Sequence, residues 1–572
     1  MKKNVLALSI AAMIGGLGFA GMASASVIVG TGTGVTNTLL TTPNVTGFKF
    51  ADGGVGHALV VPYYTVQNGN MTVLHLTNTD MKNGKVAKIR FRGAANSDDV
   101  LDFQVLLSPG DVWTAAISKN ADGLASLTTG DTTCTIPAIG AQSVAFKTSR
   151  LDPALSPEAA AEGTREGYVE IFNSADIPSD KVYTVGATAN TNSALYTTVK
   201  HTAGKPACAA ATIEAALFTT DFTAQADAAK IGLNSPSGGL MADWYIINVP
   251  QTTTYSGAAT ALVGVAPALP AYGNYVAFPQ NESMVIATPE LFTADPSLAS
   301  ATKSFYKKTS AGVPSDPTTV APIEAIALDF PDLSTPYYGG VATAAKALTQ
   351  AAALTQALAV SSITNQYAKD AGIFAKTDWV LSMPTRRYSV AVDYNAKNAL
   401  GAVAPARVYS VVRGTVAGAA PVPAALQYFS TDNTELVNGK VCVGTQGTTF
   451  LDREETGKSG SPVFSPSKAS SARLCGEASV LSFAEGLTAP SVLGASVARE
   501  DAPASALFEN GWGVLNTANY PKGTAPAAQA AASIGMPILG YSVIKLTNPQ
   551  ATAGVSGNFG ITWPHRFTKV NP

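Results

Sequence analysis

Charge is what this sequence has least of. Only 13% of its 572 residues are Asp, Glu, Lys or Arg, about half the roughly 25% of an average soluble domain. The 37 basic and 39 acidic residues nearly cancel. The long-range field that draws proteins to nucleic acid or to anionic membranes is therefore missing, and no nucleic-acid partner is expected. The four histidines, His57, His75, His201 and His565, fit no zinc spacing, and none belongs to H-E-x-x-H. No G-x-S-x-G occurs. Two strings approach nucleotide loops and fall short. Asp452 stands where a phosphate loop ending in Gly457-Lys458-Ser459 needs its first glycine, and Val35 replaces the last glycine after VIVGTGTG (Val27–Gly34). These absences leave no nucleophile, base or cofactor cradle to assign, so the expectation is a non-enzyme with neither catalytic nor cofactor-binding residues.

The N-terminus carries the strongest positive signal. Lys2 and Lys3 precede the apolar run Val5–Met22, and Ala23-Ser24-Ala25 forms a small-residue cleavage site. Residues 1–25 therefore read as a secretory signal peptide of a Gram-negative type, with the mature chain starting near Ser26. The mature chain keeps 35 basic against 39 acidic residues, a formal charge of −4. No later run is long and apolar enough for a transmembrane helix. Export to an oxidising compartment makes disulfides the expected state of Cys134, Cys208, Cys442 and Cys475. Three pairings are open; Cys134–Cys208 with Cys442–Cys475 keeps each bridge within one half of the chain.

Short apolar or alternating runs separated by turn clusters dominate both halves. Examples are Ala58–Val66, Met71–Thr79, Val86–Arg92, Leu101–Leu107, Val112–Ile117, Asp243–Val249, Thr377–Pro384 and Leu539–Asn548. The expected fold class is mainly β, with β-sandwich-like domains and Ala-rich helical insertions. A helical turn is expected within Pro153–Thr164, and longer helices at Ala211–Leu233 and Val341–Ser362. The Pro/Ser/Thr-rich region 301–336 reads as a linker between an N-terminal β-sandwich-like domain (26–300) and a C-terminal mixed domain (337–572), helix first and then strands.

One stretch departs from the scarcity of charge. KIRFRGAANSDDVLDF (Lys88–Phe103) holds Lys88, Arg90, Arg92, Asp98, Asp99 and Asp102. Alternation puts the three cations on one face of a strand and Ala87, Ile89 and Phe91 on the other. Pairing with Leu101–Leu107 brings Asp102 to the charged face. The plainest expectation is a half-exposed hairpin whose cross-strand pairs contribute about 0.2–1 kcal/mol each. Two sharper expectations share the remainder. Lys88, Arg90 and Arg92 form a self-contact between copies, or Asp98, Asp99 and Asp102 bind calcium, the one candidate cofactor.

The same residues carry a resemblance. HALVVPYYTVQNGNMTVLHLTNTDMKNGKVAKIRFRGAANSDDVLDFQVLLSPGDVWTAAI, together with EGYVEIFN (Glu166–Asn173), TDWVLSMPTRRY (Thr377–Tyr388) and GNFGITWPHRF (Gly557–Phe567), resembles a family of exported proteobacterial cell-surface proteins. These are surface-layer (S-layer) proteins of the kind that sheath outer-membrane tubular extensions in some β-proteobacteria. The resemblance implies a structural protein that self-assembles into a coat outside the outer membrane, with itself as partner and a surface glycan as a further candidate partner. Low charge agrees with packing against copies, since a weakly charged surface resists association poorly. The alternative is a secreted adhesin or carbohydrate-binding surface protein, with Tyr63/Tyr64 or Tyr337/Tyr338 as an exposed sugar platform.

Overall fold

The computed structural model describes residues 26–28, 42–179, 193–217, 231–277, 305–307, 333, 337, 344–394, 398, 400–410, 429, 433–452, 454, 471–483, 491–502, 509–518, 535–552 and 555–569. Residues 1–25, the Gly457-Lys458-Ser459 string and most of the 301–336 region lie outside them. Val27 and Ile28, at the start of VIVGTGTG, lie in a short strand paired with Tyr275–Ala277.

The chain is mainly β and largely antiparallel. In its first half a six-stranded sheet runs, in spatial order, Val144–Ala145, Ala125–Thr128, Val112–Lys119, Asn70–Asn78, Leu240–Asn248 and Thr253–Ala258. It faces a seven-stranded sheet of Gly47–Phe50, Thr260–Val265, Ala58–Thr65, Glu166–Pro178, Asn83–Gly93, Asp99–Leu107 and Cys134–Ile136. The six-stranded sheet shows ordinary two-residue alternation. Asn70–Asn78 buries every second residue, with Leu74 and Leu76 turned to the core. Trp113 and Trp244, fully buried, fill the space between the sheets with Ile89, Phe91, Phe103, Val169 and Ile171.

The second half builds its own sandwich. One sheet, here called the wall, orders Arg499–Asp501, Ala478–Ser482, Lys376–Ser382, Leu539–Thr547 and Asn558–Pro564. The other, the cover, orders Gly447–Leu451, Asn510–Asn516, Ala359–Ala368 and Met536–Pro537, with Arg566–Lys569 also paired to Ala359–Ala368. Trp379, Leu381, Tyr367, Phe450, Phe483 and Leu515 pack between them.

The wall has two apolar faces. Trp379 and Leu381 point to the cover, while Val380, Val480, Tyr541 and Val543 join the same cluster as Leu59, Ile89 and Trp244. Trp244 stacks on Tyr541 with centroids 4.4 Å apart. Residues from both expected domains thus belong to one apolar cluster. Two sheet edges also meet. Thr253–Ala258 lies beside Asn558–Pro564, where the Ser256 amide donates to Thr562 Oγ1 at 3.3 Å and Asn558 Nδ2 to the Gln251 carbonyl at 2.7 Å. Each edge shields the other from foreign strands.

Helices are few and serve as covers. Pro157–Gly163 forms a helix where a turn was expected, its Ser156 hydroxyl accepting from the Ala159 amide. The second expected helix is Ala210–Leu217, and residues 218–230 lie outside the described set. The third is Ala344–Leu358, shorter than expected because Ala359 already begins a strand. Ala351, Leu354 and Leu358 press on Val60, Tyr168 and Phe172 of the seven-stranded sheet, with Tyr337 in the same cluster.

Candidate functional site

The Lys88–Phe103 stretch is where the halves join. Its strand pairing follows the sequence: Asn83–Gly93 runs antiparallel to Asp99–Leu107, with Arg90 opposite Asp102. Its exposure does not. Lys88, Arg90 and Arg92 are each 1% exposed. Both faces of this strand are covered, the apolar face by the first sandwich and the charged face from the second half. The half-exposed hairpin is therefore corrected, and with it the self-contact: Lys88, Arg90 and Arg92 have no surface to offer another copy.

What closes over them is a buried ionic network. Lys88 Nζ lies 2.5 Å from Asp102 Oδ2, and Arg90 reaches Asp99 at 3.1 Å and Asp102 at 3.2 Å. Arg92 Nε pairs with Glu170 Oε2 at 3.1 Å. The other oxygen of Glu170 accepts from Arg387 of the second half at 2.9 Å. Arg386, next in sequence, pairs with Glu477 at 3.3 Å and donates to the Val441 carbonyl at 2.9 Å. Asp98 accepts from the Tyr394 hydroxyl at 2.6 Å, and Asn96 donates to the Gly439 carbonyl at 2.7 Å. Five cations (Lys88, Arg90, Arg92, Arg386, Arg387) meet five carboxylates (Asp98, Asp99, Asp102, Glu170, Glu477). That balance is what a buried cluster needs, since an unpaired charge here would cost several kcal/mol.

The electrostatics follow from burial and pairing. Burial pulls Lys88 down to about 8, against the pull of Asp102 beside it. Burial pushes Asp102 up, but Lys88 and Arg90 outweigh it and hold the carboxyl below its usual range. Asp98, Asp99 and Asp102 do not fit calcium. Their oxygens are turned to Tyr394, Arg90 and Lys88, and a cation there would face cations already in place. Among the described residues no group of three or more His, Cys, Asp or Glu side chains is placed to hold a metal ion.

A second junction lies nearby. The segment Ser491–Ala498 of the second half is tucked against the first. Glu166 accepts from the amides of Ser496 (2.8 Å), Val497 (3.3 Å) and Ala498 (3.0 Å), and from Gln67 and Tyr63. Asn70 donates to the Leu493 carbonyl at 2.7 Å. Asp378 of the wall accepts from the Leu493 amide at 2.9 Å. Burial raises both carboxyls, Asp378 to about 6. Gly494 (φ +67°) turns the segment where a Cβ would lie 2.4 Å from Asn68 Cβ.

Two of the four histidines are built into the interior. His57 and His565 are buried, and burial lowers each to about 4. Each ring is held between a donor and an acceptor. The Gly264 amide donates to His57 Nδ1 and Asn365 Nδ2 to His565 Nδ1, while the opposite nitrogens contact the Ala271 and Val380 carbonyls. Tyr63, Tyr64 and Tyr337 are 0% exposed, so the tyrosine sugar platform is corrected too; Tyr338 lies outside the described residues. Cys134 bonds to Cys208 and Cys442 to Cys475, the half-by-half pairing.

Glu166, Glu170, Asp378, Arg386, Arg387, Glu477 and the Ser491–Ala498 segment had no role in the sequence reading. A signal was present: EGYVEIFN holds Glu166 and Glu170, TDWVLSMPTRRY holds Asp378, Arg386 and Arg387, and GNFGITWPHRF holds His565. The signal is the presence of charged residues inside these apolar runs, although the same alternation also suits a half-exposed strand. Comparison of the chain with protein-family models, curated proteins and solved structures returned no match.

Proposed function

We propose that this chain is an exported, non-catalytic structural protein that self-associates into an S-layer-like coat outside the outer membrane. The observation that carries this reading is the junction. Two sandwiches are fastened by a shared core, the Glu170 bridge and the Ser491–Ala498 segment, which favours one rigid body over a hinged cleft. Thirteen of the chain's charged residues are buried among the described ones (Lys85, Lys88, Arg90, Arg92, Asp98, Arg150, Glu166, Glu170, Asp176, Asp378, Arg386, Arg387 and Glu477). Inward placement of charge leaves the exterior poorer still in repulsion between copies. The shifted groups Glu166, Asp378, His57 and His565 are each engaged in fixed contacts with backbone, which supports a structural use of their burial. The leader-like N-terminus, the two disulfides and the family resemblance agree with export.

The test is electron microscopy of the purified mature protein at high concentration, with and without calcium. Ordered sheets are the expected result. A chain that stays monomeric under every condition would overturn the proposal. A calcium requirement would have to arise from residues other than Asp98, Asp99 and Asp102.

A further inference from the structure

The outer face of the cover sheet carries mostly small polar side chains around an exposed tryptophan. Register places side chains on it in three rows. Leu451, Trp512 and Gln366 form the first, Thr449, Val514, Thr364 and Arg566 the second, and Gly447, Asn516, Ser362 and Thr568 the third. The opposite face carries Ile363, Tyr367, Phe450 and Leu515 into the core. Trp512 is 41% exposed although its sheet has a filled core to receive an indole. Beside it, over the second and third rows, lies an open groove of about 510 Å³ edged by Ser362, Thr449, Val514 and Asn516. No acidic residue projects from the three rows. Arg566 is exposed and makes no ion pair among the described residues.

We infer that this face binds an anionic polysaccharide, with uronate carboxylates as the recognised charge. An exposed indole offers a flat apolar surface to the C–H face of a pyranose. Hydroxyl and amide side chains in the groove suit sugar hydroxyls, which exchange hydrogen bonds with them at little net desolvation. The rows are about 7 Å apart, two residues along a strand, so a sugar on Trp512 and its chain neighbour in the groove are both within reach. Arg566 supplies a cation without an ion pair among the described residues, and its planar fork suits a carboxylate. The inference rests on reading the chain as a surface protein and gives that reading a means of attachment.

The experiment measures binding of the mature protein to alginate oligosaccharides, with dextran as the neutral control, by titration calorimetry. Alginate is expected to bind and dextran to bind much more weakly. Trp512→Ala is expected to weaken alginate binding about tenfold, the loss of one stacking contact, while Trp512→Tyr keeps most of it. Arg566→Gln is expected to remove the preference for alginate over dextran. Thermal melts of all three variants are expected to match the parent, since both side chains are exposed. No binding to alginate, equal binding to dextran, or binding indifferent to Trp512→Ala would each overturn the site. Sheet formation is scored separately, so a protein that forms sheets without binding alginate loses the site alone, and one that binds without forming sheets loses the coat.

Discussion

Arg387 and Glu170 are 217 residues apart in sequence, and their side chains meet at 2.9 Å with neither exposed by more than 2%. Glu170 already holds Arg92 on its other oxygen. A carboxylate between two guanidiniums from different halves makes each half the completion of the other's charge.

Removing one member should therefore cost far more than a surface pair. Arg387→Ala and Arg90→Ala are each expected to lower stability by about 3–5 kcal/mol, because each leaves a buried carboxylate short of its cation. Arg499→Ala, which breaks a partly exposed pair with Asp501 at 3.2 Å, is expected to cost under about 1 kcal/mol. Denaturant melts of the three variants check this, and equal small losses would show that water reaches the junction.

Gly476 tests the closeness of the halves. Its φ is +85°, and a Cβ there would stand 2.4 Å from the Ala94 carbonyl oxygen, while the next amide, of Glu477, donates to that same oxygen at 2.8 Å. Gly476→Ala is expected to destabilise by about 2–3 kcal/mol, from backbone strain and the clash together. An unchanged melting temperature would mean that the halves separate freely at this point.

Asp378 gives a pH dependence with a definite sign. Its folded value is raised to about 6 from 3.8, so the folded state holds the proton more tightly. The stabilisation is fully present below about pH 3.8 and is lost as pH rises through 6, amounting to about 3 kcal/mol. Asp378→Asn keeps an acceptor for the Leu493 amide and cannot ionise. Relative to the parent it is expected to gain stability between pH 4 and pH 7. His57 and His565, lowered to about 4 from 6.5, act in the opposite sense, losing stability as pH falls through that window. Denaturation of parent and variant at pH 4, 5.5 and 7.5 separates the two, since the histidine contribution cancels in the difference.

The disulfides close segments of 74 and 33 residues. In the chain-entropy model each contributes about 4 kcal/mol. Cys442→Ser with Cys475→Ser is expected to lower the melting temperature substantially while the chain still folds. Peptide mapping without reduction should find the two bridges and no thiol, and a bridge between the halves would contradict the arrangement described.

The sequence by itself determined the mainly β class and the strand pairing that puts Lys88, Arg90, Arg92 and Asp102 on one face, and it left three cysteine pairings, of which the half-by-half one is found. These depend on contacts near in sequence or on two-residue periodicity, and both are written locally. It could not determine which side of a strand meets solvent. Lys88, Arg90 and Arg92 alternate with Ala87, Ile89 and Phe91 as an exposed strand would, and only the tertiary structure shows Arg386, Arg387 and Glu477 closing over them. Nor could it show that Val380 and Tyr541 belong to the same core as Ile89, or that Trp512 rather than Tyr63 or Tyr337 faces outward. The reason is the same in each case. Alternation records that two faces of a strand differ, but exposure depends on what another segment, hundreds of residues away, lays against them.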